Sequence, residues 1–336
     1  MTTGSSSAAN ALVEMVRSYQ VSQALYVAAV LGVADQLADG PRDCASLAQA
    51  VGAHADSLYR VLRTLASRGV FVEHPDRRYG LNDMSLPLRS DVPGSVRAYL
   101  ILWGHPMQWL PWGRLIDSVC DGTPVFNEVF GASHYAYLES HPEDAAVFRA
   151  AMAGIPAHVE FVRTYDASTL REFVDVGGGV GRLCTALLQA NPDCRGVLLD
   201  QPSVVAQAAE VLCEGGVAER CRLIGGDFHT DIPPGADAYI LSNVIMDQTD
   251  DAALQLLRSC REAMAADGRI VIIERVIPAG NPPSLAHLSD LMCLAVVGGR
   301  IRSQEELDAM FAESRLRRTN SYDLPSGYSV VEARAA

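Results

Sequence analysis

The chain has 336 residues, of which 49% are apolar, so it is long enough for two domains with large cores and is not a disordered protein. Its formal net charge of −13 argues against nucleic acid or an anionic membrane as the main partner and favours a small molecule. No apolar run of about 18 residues occurs and the first residues lack a basic segment, so neither a membrane span nor a signal peptide is expected.

The first third of the chain predicts helices followed by a small hairpin. Apolar residues recur at helical spacing over residues 11–37 and predict two helices, which are so apolar that we expect a partner surface. The next segment predicts a short helix, a turn through Gly52, a second helix from Asp56, and two strands joined at His74-Pro75-Asp76. Two helices followed by a hairpin form the winged helix-turn-helix pattern.

A winged helix can bind DNA or form a dimer. In a cofactor-sensing regulator the second helix, DSLYRVLRTLASRG, would enter the major groove. From Arg42 to Asp91, however, seven arginines stand against six acidic residues, whereas phosphate binding needs a clustered excess of positive charge. We therefore interpret residues 11–95 as a winged-helix-like dimerisation domain, and DNA binding remains a distant alternative.

Residues 96–165 predict a helical region that is rich in aromatic side chains. Such residues usually belong to a core, but beside an enzyme domain they can line a pocket for a flat aromatic ligand. We interpret the region as a helical linker that contributes to a substrate pocket. The aromatic residues are Trp103, Trp109, Trp112, Phe126, Phe130, Tyr135 and Tyr137.

Residues 166–336 alternate between strand-like and helical segments. Five segments rich in Val, Ile and Leu are separated by helical stretches: FVDVG, RGVLLD, CRLIGGD, AYILSNVI and GRIVIIERVI. Strands buried on both faces and joined by helices predict an α/β fold with a Rossmann-like, doubly wound parallel sheet. The ligand of such a sheet binds at the carboxyl ends of its strands.

The motif EFVDVGGGVGRL lies between the first strand and first helix of this sheet. Asp175 is followed by glycines at 177, 179 and 181, where the backbone must turn tightly and let a ligand approach. A dinucleotide fingerprint would require glycine at position 182, but Arg182 stands there. The loop therefore favours S-adenosyl-L-methionine over NAD, with Asp175, Gly177 and Gly179 in the cofactor site.

Three further strand ends extend the predicted cofactor site. Asp200, at the end of the second strand, is placed to accept the ribose hydroxyls, and Gln201 follows it. Asp227 and Phe228 end the third strand and could bind the adenine amino group and cover its ring. The fourth strand ends at SNVIMDQTDD, which contains Ser242.

With these motifs, the chain resembles the bacterial and plant small-molecule O-methyltransferases, the branch of caffeate, hydroxyindole and polyketide-tailoring enzymes. The resemblance runs from about residue 11 to 334 and rests on DVGGGVGRL, LLDQPSVV, GGDFHTDIPPGADAYILSNV and GGRIRSQEEL. It implies S-adenosylmethionine as cofactor and a homodimer with intertwined N-terminal domains. It also places the cofactor contacts on Gly177, Asp200, Asp227, Phe228 and Ser242.

The chain departs from this family where the base is expected. Many relatives have a His-Asp-Trp run after the fourth strand, with His as general base, but this chain has Met246-Asp247-Gln248. Ile301 stands where those relatives have a second acid, whereas Glu274 remains. The expected reaction is methylation of a phenolic or enolic hydroxyl of an aromatic, polyketide-like metabolite by proximity and orientation. Alternatives are C-methylation, or a hydroxylase or decarboxylase that has lost methyl transfer.

Candidate residues on the acceptor side follow from position and from the resemblance. Met246 is either an apolar wall against the acceptor or a core residue, and Asp247 could accept a substrate hydrogen bond or serve as a weak base. Arg302 is predicted near the pocket mouth, pairing with a substrate oxygen. The resemblance adds Tyr135, Met152 and Met292 as substrate-binding residues. Four histidines could replace the base, with His287 preferred: His134, His158, His229 and His287.

No metal site or disulfide is predicted. The eight cysteines have irregular spacings without a Cys-x-x-Cys pair, as expected for reduced residues of a cytoplasmic protein. An iron site on Asp247 and His287, suggested by a C-methylating branch of the family, would need a second imidazole at Met246. A thioether is a poor ligand for a hard ion.

Overall fold

The computed structural model describes residues 3–336, which form two compact units. The first contains the chain up to Leu110 together with Glu143–Gly154, and the second contains Pro111–Pro142 together with Ile155–Ala336. The helices are α1 (Thr3–Val16), α2 (Ser18–Val30), α3 (Cys44–Ala50), α4 (Ala55–Ala66), α5 (Arg97–Gly104), α6 (Pro106–Trp112), α7 (Leu115–Asp121), α8 (Phe126–Phe130), α9 (His134–Ser140), α10 (Pro142–Ala153), α11 (Pro156–Thr164), α12 (Arg182–Ala190), α13 (Pro202–Glu214), α14 (Asp250–Ala263), α15 (Leu285–Met292) and α16 (Gln304–Glu313). The structure thus divides the predicted middle region, 96–165, between the two units.

The strands form two sheets. They are β1 (Arg42–Asp43), β2 (Val72–His74), β3 (Arg78–Gly80), β4 (Glu172–Val176), β5 (Arg195–Asp200), β6 (Cys221–Gly225), β7 (Ala238–Ser242), β8 (Arg269–Glu274), β9 (Leu316–Asp323) and β10 (Ser329–Ala335). The smaller sheet has the order β1-β3-β2, and the larger has the order β6-β5-β4-β7-β8-β10-β9.

The first unit has the predicted winged-helix arrangement. Helices α3 and α4 are followed by the antiparallel pair β2 and β3. In α4, Leu58, Leu62 and Leu65 recur at helical spacing and are buried, and the ring of His54 caps the helix by accepting from the amide of Ser57. The helices before this motif leave large apolar side chains exposed in the single chain: Leu12, Val13, Met15, Val16 and Tyr19.

The second unit contains the predicted doubly wound sheet. Strands β6, β5, β4, β7 and β8 are parallel, and the helices α12, α13 and α14 lie between consecutive strands in the chain. An antiparallel hairpin, β9 and β10, extends the sheet beyond β8 and was not predicted. The edge strand β9, LRRTNSYD, is exposed along most of its length and therefore lacks the apolar pattern of a buried strand.

Three further properties of the structure concern membrane-spanning helices, disulfides and clusters of metal-binding side chains. Over the described residues, Pro142–Thr164 is apolar and long enough to cross a membrane, features that the core helices of soluble proteins share. In the structure this stretch is divided into α10 and α11. All eight cysteines are free, and residues 3–336 contain no group of three or more His, Cys, Asp or Glu side chains that could hold a metal ion.

Candidate active site

The glycine loop, residues 177–181, connects β4 to α12 at the carboxyl end of the sheet. Gly177 has a φ of +67°, and an added Cβ would lie 2.9 Å from Cγ2 of Val244, which follows β7. Its amide donates to the carbonyl of Leu199 at 2.8 Å. The absence of a side chain therefore lets the loop fold against both neighbouring strands, as expected for a backbone that a ligand approaches closely.

Asp200 ends β5 beside this loop, as predicted. One carboxylate oxygen accepts from the amide of Gly179 at 2.8 Å, and the other accepts from the amide of Gln201 at 2.7 Å. Partial burial raises the pKa of Asp200, and the two amides oppose that rise. Each oxygen keeps a second lone pair, which a ribose hydroxyl could use.

Asp175 lies beneath the loop and is 1% exposed. Its Oδ2 has no hydrogen-bond partner among the described residues. Burial, followed by the charge of Asp200, raises the pKa of Asp175 to about 7. Two carboxyl groups that disfavour each other's ionisation suit a positively charged ligand. The glycine loop, Asp175 and Asp200 therefore fit S-adenosylmethionine, which carries sulfonium and ammonium charges.

Asp227 and Phe228 follow β6 and have different environments. Asp227 is exposed, and its Oδ1 accepts from the amide of His229 at 2.8 Å. Phe228 packs partly against the main core, and its ring would lie 3.9 Å from a Cβ at Gly177. The ring is thus beside the glycine loop, where the sequence predicted an adenine contact.

Ser242, the last residue of β7, is paired with a histidine from α11. Its hydroxyl lies 3.0 Å from Nε2 of His158, 84 residues away. Burial lowers the pKa of His158 to about 4, so the imidazole is neutral at physiological pH. Nothing in the local sequence of either residue indicates this pair.

The β7 turn, Ile245–Asp247, places Asp247 beside Tyr135 of α9. The Tyr135 hydroxyl donates a short hydrogen bond to Oδ2 of Asp247, across 112 residues. Burial raises the pKa of Asp247 to about 7, against the lowering effect of this bond. Desolvation and then the charge of Asp247 raise the pKa of Tyr135 well above its ordinary value. The phenol therefore remains a donor while the carboxyl titrates near neutrality.

Met246 is 7% exposed and belongs to a small apolar cluster with Cys293 and Ile301, against which Met292 packs. Its amide donates at 3.0 Å to Oε2 of Glu274, a fully buried acid at the end of β8. The other oxygen of Glu274 has no hydrogen-bond partner among the described residues. Burial raises the pKa of Glu274 to about 8, although the positive charge of Arg302 lowers it. Glu274 is therefore largely protonated at neutral pH.

Arg302 is buried against the backbone of the β7 turn. This corrects its predicted position at the pocket mouth. The side chain is only 1% exposed. Its guanidinium donates to the carbonyl of Ile245 at 2.8 Å and to that of Gln248 at 3.0 Å. A further bond reaches Asp250 at 2.7 Å. These protein acceptors occupy its donors, so it positions the turn and does not pair with substrate.

Gly299, shortly before Arg302 in the chain, lets its segment approach the backbone of the β7 turn closely. A Cβ at this position would lie 2.1 Å from the carbonyl oxygen of Met246 and 2.5 Å from the carbonyl carbon of Asp247. No side chain fits that space, so glycine permits this segment to pack directly on the backbone of the β7 turn.

The remaining predicted residues have other surroundings. The Nε2 of His287 lies 3.2 Å from the carbonyl oxygen of Pro282, a neighbour on its own segment. Met152 belongs to α10, in the first compact unit. Thr249 caps α14 by accepting from the amide of Ala252, so the helix cap does not involve Asp247.

Two of the seven aromatic residues of the middle region, Phe126 and Tyr137, are buried. Phe126 is fully buried and contacts the rings of Phe130 and Tyr137. Tyr135 differs, because it is 39% exposed in the single chain and points its hydroxyl to Asp247. Through this hydrogen bond, Tyr135 connects α9 to the β7 turn.

A glycine loop, a strand-end carboxylate and a doubly wound sheet attached to a winged-helix unit define an α/β enzyme that uses a nucleoside cofactor. A sequence profile described as an O-methyltransferase domain matches residues 112–316, and one described as an O-methyltransferase dimerisation domain matches residues 13–88. The chain belongs to this O-methyltransferase family.

Known relatives cover nearly all of the chain. It is 40% identical to phenazine O-methyltransferase PhzM of Lysobacter antibioticus, over 96% of this chain and 95% of the relative. It is 36% identical to phenazine-1-carboxylate N-methyltransferase of Pseudomonas aeruginosa, over 98% of both chains. The SAH-bound structure of CalO1, a methyltransferase in calicheamicin biosynthesis, has a TM-score of 0.86 and 35% identity, covering 98% of both chains. The predicted family, fold and cofactor are confirmed: the protein is an S-adenosyl-L-methionine-dependent O-methyltransferase.

Proposed function

We propose that this enzyme methylates a hydroxyl of a polycyclic aromatic metabolite, and that Asp247, paired with Tyr135, receives the hydroxyl proton in place of the missing histidine. The observation that carries the proposal is the Tyr135–Asp247 hydrogen bond at the β7 turn, where the carboxyl pKa is about 7. A pKa near the working pH is what a general base requires. The aromatic acceptor is inferred from the relatives' names, including the phenazine enzyme.

The order of the sheet supports one direction for the cofactor. Asp227 and Phe228 follow β6, Asp200 ends β5, and the glycine loop follows β4, with β7 next in the sheet. With the adenine at β6 and the ribose at β5, the residues at β4 and β7 would hold the methionine end. The methyl group would then be supplied beside the β7 turn, where we propose the acceptor. Gln201 would contribute its backbone beside the ribose.

The residues at and around the β7 turn would have different roles in methyl transfer. S-Adenosylmethionine supplies an electrophilic methyl group when it is bound. Asp247, as a carboxylate, would accept the proton of the acceptor hydroxyl. The hydroxyl oxygen would take the methyl group, whose bond to sulfur breaks, so that S-adenosylhomocysteine leaves. Tyr135 donates to the same carboxylate and fixes its orientation. Met246 and Met292 provide an apolar wall. Alignment of the reacting atoms supplies most of the acceleration, because a positioned base adds only about 10²–10⁴-fold.

The assembly is part of the same proposal. The dimerisation profile and the exposed apolar side chains of α1 and α2 support a homodimer formed through the winged-helix domain, residues 11–95. We propose a cytoplasmic enzyme whose partners are its own second copy and a small aromatic substrate, without nucleic acid or membrane. Met152 of α10 remains proposed as a substrate contact.

Methyl transfer to a matched set of acceptors tests the function. Methyl-labelled S-adenosylmethionine would be offered with hydroxyphenazine and hydroxynaphthoate acceptors and with the corresponding amines, and the product bond identified by mass spectrometry. We expect label on oxygen, and about a tenfold or larger loss of kcat/KM in Asp247→Asn. Label on nitrogen alone would favour the second candidate, N-methylation, which the Pseudomonas relative suggests. Tight cofactor binding without any label transfer would contradict both.

A further inference from the structure

His158 and Ser242 form a partly buried polar pair that the acceptor chemistry does not use. His158 lies on α11 and Ser242 at the carboxyl end of β7, with 3.0 Å between Nε2 and Oγ. The second ring nitrogen, Nδ1, is inaccessible to solvent and has no hydrogen-bond partner among the described residues. An unsatisfied buried nitrogen is costly unless a ligand or water completes it.

The position of the pair in the sheet indicates which part of the cofactor it meets. β7 lies between β4, which carries the glycine loop, and β8. Ser242 is the first residue of β7 beyond Leu241, which pairs with Val176 at the end of β4. The hydroxyl of Ser242 is thus level with the start of the glycine loop. On the cofactor placement proposed above, on which this inference rests, that level holds the methionine end and not the nucleoside.

We propose that His158 is a positioning residue for the cofactor: it orients the Ser242 hydroxyl toward the aminocarboxypropyl group, and its Nδ1 takes part in binding the same group. That group carries an ammonium and a carboxylate, so it can donate to a ring nitrogen or accept from one. Because the imidazole is neutral, the pair supplies hydrogen bonds and leaves the charge of the site unchanged. This role is independent of whether Asp247 acts as the base.

Two ligands separate the methionine end from the nucleoside. S-Adenosylhomocysteine contains the aminocarboxypropyl group, whereas 5′-deoxy-5′-methylthioadenosine lacks it. Titration calorimetry of the full-length protein would measure both affinities. In His158→Leu we expect S-adenosylhomocysteine to bind about five- to tenfold more weakly, the effect of one neutral hydrogen bond, while methylthioadenosine binds as before.

Conservative variants distinguish positioning from packing. The amide nitrogen of Gln reaches about as far as Nε2, so His158→Gln should recover part of the lost affinity by keeping the bond to Ser242. Ser242→Ala should also weaken only S-adenosylhomocysteine. The double variant with His158→Leu should lose less than the product of the two single effects, because the residues act together. If His158→Leu proves unstable, the Gln and Ser242 variants still decide the question.

Asp200→Ala provides the reference for the cofactor placement. It should weaken both ligands, since both contain the ribose. If Asp200→Ala changes neither affinity, the placement itself is wrong. If Asp200→Ala behaves as expected but His158→Leu and Ser242→Ala leave S-adenosylhomocysteine unaffected, or weaken both ligands equally, the role of His158 is overturned while the placement stands.

Discussion

At the carboxyl ends of β4 and β5, called the cofactor edge below, Asp200 accepts hydrogen bonds from the backbone amides of Gly179 and Gln201, which are 21 residues and 1 residue away in the chain. At the β7 turn, called the acceptor edge below, Asp247 accepts a hydrogen bond from the side chain of Tyr135, 112 residues away. The first carboxylate is placed by backbone within one β-α-β unit. The second depends on a side chain delivered by α9. The cofactor edge is therefore fixed by the fold, whereas the acceptor edge can change by substitution of single side chains.

The β7 turn shows the same dependence on distant residues. Glu274 binds the amide of Met246, and Arg302 binds the carbonyls of Ile245 and Gln248. These contacts hold the turn through its backbone, so the side chains at 246 and 247 can vary without loss of its shape. This explains how methionine can occupy the position of the family's histidine without disturbing the site.

Substitution of Gly299 should give the largest difference between the effect on acceptor turnover and the effect on cofactor affinity. In Gly299→Ala the new methyl group would overlap the backbone of Met246 and Asp247, so the β7 turn must move. We expect kcat/KM for the acceptor to fall about a hundredfold, the effect of misplacing a reacting group by about 1 Å. The affinity for S-adenosylhomocysteine should stay the same, because the glycine loop is untouched. Steady-state kinetics and calorimetry provide the two measurements.

Gly154→Ala is the matched control for this substitution. Its added Cβ would be 3.6 Å from the nearest atom, an ordinary contact, so activity and cofactor affinity should both be retained. An equal loss of cofactor affinity in Gly299→Ala would show that the two edges are coupled, and the comparison between them would fail.

The pH dependence of kcat/KM should report the titration of Asp247 at the acceptor edge. With a pKa of about 7, Asp247 is a carboxylate above that pH and a carboxylic acid below it, so kcat/KM should rise as the pH passes through 7. In Asp247→Asn this rise should disappear, with about a ten- to hundredfold loss at pH 8. The acceptor must be a phenol that does not titrate between about pH 5 and 9.

Tyr135→Phe sharpens the assignment of this titration. The tyrosine hydrogen bond lowers the pKa of Asp247, so its removal should move the rise of the profile to higher pH. A profile that rises at the same pH in wild type and in both variants would assign the titration to another group, such as Glu274, with a pKa of about 8.

The sequence predicted the strands and the glycine loop of the cofactor edge because their signals are local. Glycine spacing, the carboxylates near the ends of β4, β5 and β6, and the apolar segments all lie within short windows, and the five parallel strands were found from them. The acceptor edge was predicted less well because its geometry comes from pairs far apart in the chain. Arg302 was predicted near the pocket mouth as a partner of a substrate oxygen, but its side chain is buried, and five hydrogen bonds to backbone carbonyls and to Asp250 compensate that burial.

Placing histidine at position 246 should change the rate less than Gly299→Ala or Asp247→Asn does. Met246→His would place an imidazole on the residue whose amide binds Glu274, an acid whose Oε1 has no hydrogen-bond partner among the described residues. We expect kcat for an acidic phenol to change by less than about threefold at pH 8, since alignment and Asp247 already suffice. Met246→Gln is the control, because its amide adds polarity without a base. A gain of about tenfold or more in the histidine variant alone would show that deprotonation limits the wild-type enzyme, and the acceptor edge would then be an impaired form of the histidine-based site.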